Sequence, residues 1–261
     1  MREFYEDFYR LTATSTAHAQ FCERVFGRNL CQHGFADMAQ LDALIAVLRL
    51  QPGERALDLG CGNGMIAEYI SDCTGAHVTG LDYSPEATRI ANERTAAKRD
   101  RLTFMVGDIN APGLPPEAFD TVISIDSLYF SDDYTRTIGE LARALRPGGQ
   151  MGFLFSHGRE PWVPREQFDA DSVLPDRTPL AQALEANGLA YRALDFTQDD
   201  YCIAQLRKQV LPALRERFAA DGLGFVYDNR LGDANGISQA IEDGLHRRHL
   251  YHVQLGEPRH A

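Results

Sequence analysis

The sequence predicts an α/β protein: a doubly wound, mostly parallel seven-stranded sheet, with N-terminal helices and a helical cap inserted before the last strand. Three observations predict it. From Arg55 onward, short apolar segments alternate with amphipathic helical segments, an order typical of a parallel sheet covered on both faces. A glycine-rich turn follows the first of these apolar segments, and a long helical segment separates the last two.

Length, charge and cysteine content limit the function classes. The 261 residues suit one domain, or a core with a cap. With 26 basic and 37 acidic residues the net charge is −11, which disfavours a nucleic-acid partner. The five cysteines, an odd number with no CxxC pair, indicate reduced thiols and a cytoplasmic protein. The charged, aromatic N-terminus does not resemble a signal peptide, and no apolar run is long enough to span a membrane.

The first 50 residues are predicted to form a helical lid, 1–50. Apolar residues recur at helical spacing within 1–13 and again within 36–50. A further helix is expected over Thr14–Phe26, and the segment Asn29–Phe35, which contains glycine and histidine, is expected to be a loop.

The central segment, 51–197, is predicted to be the cofactor-binding core. Six strands are expected, at Arg55–Leu59, His77–Leu81, Leu102–Val106, Phe119–Ile125, Met151–Phe155 and Tyr191–Phe196. Helices are expected at Asn63–Cys73, from Pro85, over 131–146 and from Pro179. Ser84 and Thr178 each precede a proline, the pattern of a helix N-cap followed by proline in the first turn.

The C-terminal part is predicted to hold the cap, 198–247, and the last strand with a tail, 248–261. Apolar residues from Ile203 to Phe218 outline an amphipathic helix kinked at Pro212. This insertion suits a cap over a small substrate and is also compatible with a homodimer contact.

The first crossover turn carries the most informative motif. The run Ala56–Gly64 places Asp58 just before Gly60, Gly62 and Gly64. A dinucleotide site needs G-x-G-x-x-G, whereas the spacing here is G-x-G-x-G. The carboxylate of Asp58 repels a pyrophosphate but attracts the amino group and sulfonium of S-adenosyl-L-methionine (SAM). The turn therefore favours SAM over NAD(P).

The same run, LDLGCGNG, resembles motif I of the class I SAM-dependent methyltransferases of the small-molecule type, and the resemblance extends over about residues 40–155. It implies a Rossmann-like fold, SAM as cofactor and S-adenosyl-L-homocysteine (SAH) as product. It also implies methyl transfer to a nitrogen, oxygen, carbon or sulfur atom of a small molecule by in-line displacement.

The resemblance also implies which residues bind the cofactor. Asp82, at the end of the second strand, is expected to accept hydrogen bonds from the ribose, and Asp108 from the adenine amino group. The full predicted set is Asp58, Gly60, Cys61, Gly62 and Gly34 around the methionine part, Asp82 at the ribose, Tyr83, Asp108 and Ile109 at the adenine, and Ile125 at the exit of the fourth strand.

The acceptor is expected beyond the fourth and fifth strands. Tyr129 and His157 are the candidate catalytic residues, able to orient the acceptor or take a proton, although each also fits a packed aromatic or a surface histidine. The candidate substrate residues are Tyr5, Tyr9, Asp126 and Tyr129. The N-terminal tyrosines also fit a helix that simply packs on the core.

No metal site is expected. His246, His249 and His252 have even spacing, but a change from helix to strand separates their directions. Two alternatives remain open: an NAD(P)-dependent oxidoreductase on the same fold, and a SAM-binding protein without catalytic activity.

Overall fold

A computed structural model describes residues 2–160 and 162–256. Seven strands form one sheet: β1 Arg55–Leu59, β2 His77–Asp82, β3 Leu102–Val106, β4 Phe119–Ile125, β5 Leu145–Gly158, β6 Tyr191–Asp195 and β7 His246–Gln254. Their order is β3-β2-β1-β4-β5-β7-β6. The pairs among β1 to β5 are parallel, and β7 runs antiparallel to β5 and β6. The predicted doubly wound, mostly parallel sheet is confirmed.

The helices follow the predicted order. They are α1 Arg2–Thr12, α2 Thr16–Phe26, α3 Met38–Leu48, α4 Met65–Thr74, α5 Pro85–Arg94, α6 Tyr134–Ala144, α7 Pro179–Ala186, α8 Thr197–Val210, α9 Arg215–Ala220 and α10 Gly224–Glu242. Ser84 and Thr178 cap α5 and α7 through their hydroxyl groups, as predicted. None of the described helices is both long and apolar enough to cross a membrane.

Each face of the sheet buries its own core. Because side chains alternate along a strand, Leu57 and Leu59 of β1 pack with α6 and α7, whereas Ala56 packs with α3 and α4. A third core lies away from the sheet, where α1 and α2 pack against α8, α9 and α10. Helices α1 and α2 and the inserted helices therefore form one helical layer.

Among the boundaries that differ from the prediction are those of β5, of β7 and of the helix at Pro212. β5 extends over the turn Arg146–Gly149 and beyond Phe155, since residues Gln150 to Gly158 pair along the whole of β7. For the same reason β7 begins at His246, two residues before the segment predicted to hold the last strand, 248–261. The expected kink at Pro212 is a full break, where α8 ends and a short 3-10 turn precedes α9.

Candidate cofactor-binding and active site

A cavity of about 290 Å³ opens at the carboxyl ends of β1, β2 and β4. Here the strand order reverses, which is where ligands bind in doubly wound sheets. Twelve of the fifteen predicted site residues line it: Tyr5, Tyr9, Gly34, Gly60, Cys61, Gly62, Asp82, Tyr83, Asp108, Ile109, Ile125 and Asp126. Asp58, Tyr129 and His157 are not among its lining residues.

The glycine turn brings helix α1 close to the cavity floor. Gly60 and Gly62 have φ of 78° and 53°, backbone that other residues adopt only with strain. A Cβ on Gly62 would collide with the hydroxyl of Tyr9 on α1, and one on Gly60 would collide with the side chain of Ser127. The two glycines thus let Tyr9 of α1 and Ser127 of the loop after β4 pack directly against the turn.

Asp82 joins the glycine turn to the end of β2. Its carboxylate accepts hydrogen bonds from the amide of Gly62 at 2.8 Å and from the amide of Ser84 at 2.9 Å. Burial raises the pKa of this carboxyl group, while the backbone amides oppose the rise. Each oxygen keeps a free lone pair, so the carboxylate is able to accept further hydrogen bonds from a diol.

Asp58 lies beneath the turn, and only 3% of it is exposed. Burial, and secondarily the neighbouring Asp82 carboxylate, raise its pKa to about 7. A carboxylate buried beside another carboxylate is stabilised by an added cation. The site therefore favours a positively charged group above the first strand.

The opposite end of the cavity is formed by the loops after β2 and β3. Asp108 accepts a hydrogen bond from the amide of Asn110 at 2.9 Å, which fixes the turn that carries Ile109. Tyr83 lies beside it, with its ring 6.1 Å from that of Tyr5. The Tyr83 hydroxyl is buried and has no partner within the described ranges, so it is available to a ligand.

The loop before α3 also lines the cavity, through Gln32, His33 and Gly34. Two buried arginines of the inserted helices hold its backbone. Arg230 donates to the carbonyl oxygens of Gln32 at 2.7 Å and His33 at 2.8 Å, and Arg207 donates to that of Gly34. The cap therefore shapes the cavity indirectly, by fixing this loop.

Asp126 fixes the same loop from the other side. Its carboxylate accepts from the amide of Phe35 at 2.9 Å and forms a 2.5 Å ion pair with Arg248 of β7. Arg248 is fully buried and also pairs with Asp200 at 3.2 Å. A Cβ on Gly34 would overlap the Asp126 carboxylate, which explains the need for glycine there.

Sequence reasoning missed His33 and the three buried arginines. Arg207 lies four residues after Ile203 on the buried face of α8, within the predicted apolar stripe. An arginine inside an apolar helical stripe indicates a buried, paired guanidinium, because lysine and arginine are rarely buried without partners. This pattern could have identified Arg207 from the sequence.

The two candidate catalytic residues lie apart from the cavity lining. Tyr129 is 42% exposed and packs its ring on Phe130, with the centroids 4.8 Å apart. His157 bonds to the hydroxyl of Ser172 at 3.2 Å and lies beside the ring of Phe168. Burial lowers the pKa of His157 to about 4, so it is neutral at pH 7. Their catalytic roles stay predictions.

The three C-terminal histidines have separate partners. His246 lies 3.5 Å from Asp200, His249 bonds to the carbonyl of Val173 at 3.0 Å, and His252 bonds to Gln150 at 3.0 Å. Within the described ranges, no group of three or more potential metal ligands comes together.

Comparison with known proteins identifies a methyltransferase domain in this chain. A model described as a methyltransferase domain matches residues 56–149. The 27-O-demethylrifamycin SV methyltransferase of Amycolatopsis mediterranei is 35% identical over 147 residues. That match covers 52% of this chain and 54% of the relative, so the chain spans only about half the length of this relative.

Solved structures share the fold at low identity. Phosphoethanolamine N-methyltransferase 2 of Haemonchus contortus, bound to phosphomonomethylethanolamine and SAH, has a TM-score of 0.68 at 22% identity, over 97% of this chain and 60% of that one. Geranyl diphosphate C-methyltransferase of Streptomyces coelicolor has a TM-score of 0.65 at 20% identity, over 83% of this chain and 78% of that one. The glycine turn and the strand order thus belong to a chain whose residues 56–149 match a methyltransferase domain and whose fold is shared with methyltransferases of known structure.

Proposed function

We propose that this chain binds SAM and transfers its methyl group to a small-molecule acceptor, leaving SAH. The observation that carries the proposal is the buried Asp58–Asp82 pair beside the left-handed turn of Gly60 and Gly62. Two adjacent carboxylates repel a pyrophosphate and attract the ammonium and sulfonium groups of SAM. This disfavours the NAD(P)-dependent alternative.

We assign the residues to the cofactor part by part. Asp58 does not line the cavity, but its charge would attract the α-ammonium group from beside Asp82, which has free lone pairs for the ribose hydroxyls. Asp108 and Ile109 would meet the adenine edge, with the unpaired Tyr83 hydroxyl nearby. SAM supplies a carbon already activated by positive sulfur, so the protein contributes mainly alignment and exclusion of water.

Helix α1 and the cap are proposed to close the site. Tyr5 and Tyr9 place aromatic rings over the cavity, and ring faces stabilise a nearby cation such as a sulfonium. We assign residues 1–50 as the lid and 198–247 as the cap, because α1 and α2 of the first segment share one core with α8, α9 and α10 of the second.

Isothermal titration calorimetry with SAH and with NADH tests the cofactor. Saturable binding of SAH without binding of NADH supports the proposal, and the reverse result would exclude it. Asp82→Asn should weaken SAH binding, while Asp120→Asn, at the far end of the sheet, should not. A mass-spectrometric screen for products that gain one methyl group then separates an enzyme from a SAM-binding protein without activity.

A homodimer and a cytoplasmic location stay predictions from the sequence. Analytical ultracentrifugation of the purified chain, across a hundredfold range of concentration, tests the first. A concentration-independent monomer would remove the assignment of the cap as a dimer contact.

A further inference from the structure

A methyl acceptor needs a part of the cavity that the cofactor does not occupy. If SAM lies along Asp58, Asp82 and Asp108 as proposed above, the acceptor must meet the remaining wall. That wall is built from Tyr5 of α1, His33 of the loop before α3, and Phe130 and Asp126 of the segment after β4. Tyr5 lies at its centre, with ring centroids 5.0 Å from His33 and 5.9 Å from Phe130.

No lysine or arginine in the described ranges lines this cavity. The charged side chains that do line it are carboxylates: Asp82, Asp108 and Asp126. Asp126 is paired with Arg248, so that pair brings no net charge. The remaining carboxylates make the cavity electrostatically negative, which opposes entry of an anion.

The nearest cations are engaged elsewhere. The guanidinium of Arg207 stacks on the ring of Phe35, 3.8 Å from its centroid, and donates to a backbone carbonyl. Arg230 lies over Phe21 at 5.0 Å and donates to the carbonyls of Gln32 and His33. Both are fully buried behind the loop that separates them from the cavity.

His33 adds a polar atom without adding charge. Burial, together with Arg230 and Arg207, lowers its pKa well below the ordinary histidine value, so the ring is neutral at pH 7. Its Nε2 atom is buried and has no partner within the described ranges. A neutral imidazole among aromatic rings suits an uncharged O–H or N–H group.

We infer that the acceptor reaches the methyl group as a molecule whose entering part is uncharged or cationic and mainly apolar, with no phosphate or carboxylate group. This inference rests on the proposed function. A phosphate placed against this wall would lose its hydration without gaining a counter-ion, which is strongly unfavourable. The ligands named for the two similar solved structures carry phosphate groups, so they are suitable probes of this wall.

Calorimetry on the SAH-saturated protein tests the inference. The probes are phosphoethanolamine, geranyl diphosphate and inorganic pyrophosphate, with ethanolamine and geraniol as the matched compounds without phosphate. We expect no saturable binding of the three phosphorylated probes at millimolar concentration. Failure of SAH itself to bind would contradict the proposed function, a result separate from the one tested here.

Two variants locate any anion binding that is found. Binding of a phosphorylated probe that falls tenfold or more in His33→Ala or Arg207→Met would place the anion at this wall and overturn the inference. Binding unchanged in both variants would place the anion outside the cavity and leave the wall free of anions, as inferred. Urea unfolding of each variant shows whether it is folded.

Discussion

Replacing Asp58 by asparagine should stabilise the ligand-free protein while weakening its binding of SAH. The Asp58 carboxyl group is 3% exposed, and its pKa is raised to about 7 by burial and by Asp82. The folded state therefore binds this proton more tightly than the unfolded chain, in which the pKa is about 4. Ionisation of Asp58 in the folded protein therefore lowers the free energy of unfolding. This loss is absent below about pH 4, grows as the pH rises to 7, and is constant above pH 7.

The magnitude follows from the separation of the two pKa values. A pKa near 7 instead of near 4 corresponds to about 4 kcal/mol in the free energy of unfolding at pH 8. Asparagine cannot ionise, so Asp58→Asn should recover up to this amount. In the complex, the lost interaction with the α-ammonium group should cost about 1.5–3 kcal/mol, or roughly 10- to 100-fold in affinity.

Urea unfolding at pH 8 and at pH 5 measures the first effect, and calorimetry measures the second. 5′-Methylthioadenosine, which lacks the amino-acid part of SAH, provides a matched ligand. Asp58→Asn should lower the affinity for SAH but leave the affinity for methylthioadenosine unchanged. Asp82→Asn should lower the affinity for both ligands. If Asp58→Asn leaves both the stability at pH 8 and the SAH affinity unchanged, the proposed electrostatic role of Asp58 is wrong.

Three further predictions follow from the same geometry. Because the α-ammonium group favours the ionised form of Asp58, SAH binding should release a proton at pH 6 and almost none at pH 8. Calorimetry in two buffers of different ionisation enthalpy measures this release. Equal proton release at pH 6 and pH 8 would contradict the role of Asp58. Gly62→Ala should abolish SAH binding and lower the free energy of unfolding by about 1–2 kcal/mol or more, since the new methyl group meets Tyr9. Gly222, with φ of 73°, has open space around it, so Gly222→Ala should lower the stability only through backbone strain and keep the SAH affinity. Arg248→Met leaves two buried aspartates without a counter-ion and should lower the free energy of unfolding by about 3–5 kcal/mol; a loss below 1 kcal/mol in urea unfolding would show that the ion pairs are weak.

Local patterns were enough to predict most of the fold. β1, β3 and β4 match their predicted bounds, because each is a short apolar run bounded by turn residues. The capping of α5 and α7 depends on neighbouring residues alone, and these predictions are confirmed. β5 was predicted too short because its extension depends on pairing with β7, about a hundred residues later in the chain.

The sequence by itself predicted the fold class, the methyltransferase motif and the position of the crevice, because the glycine turn and the acids at the strand ends are local features of parallel strands. Only the tertiary structure decided what surrounds that crevice. Arg207 and Arg230 reach the loop at His33 from 174 and 197 residues away, and Asp126 reaches Phe35 from 91 residues away. No periodic pattern encodes such contacts, since they arise when separately formed layers pack and each buried charge must find a partner. The wall formed by Tyr5, His33, Phe130 and Asp126 is therefore a product of tertiary packing.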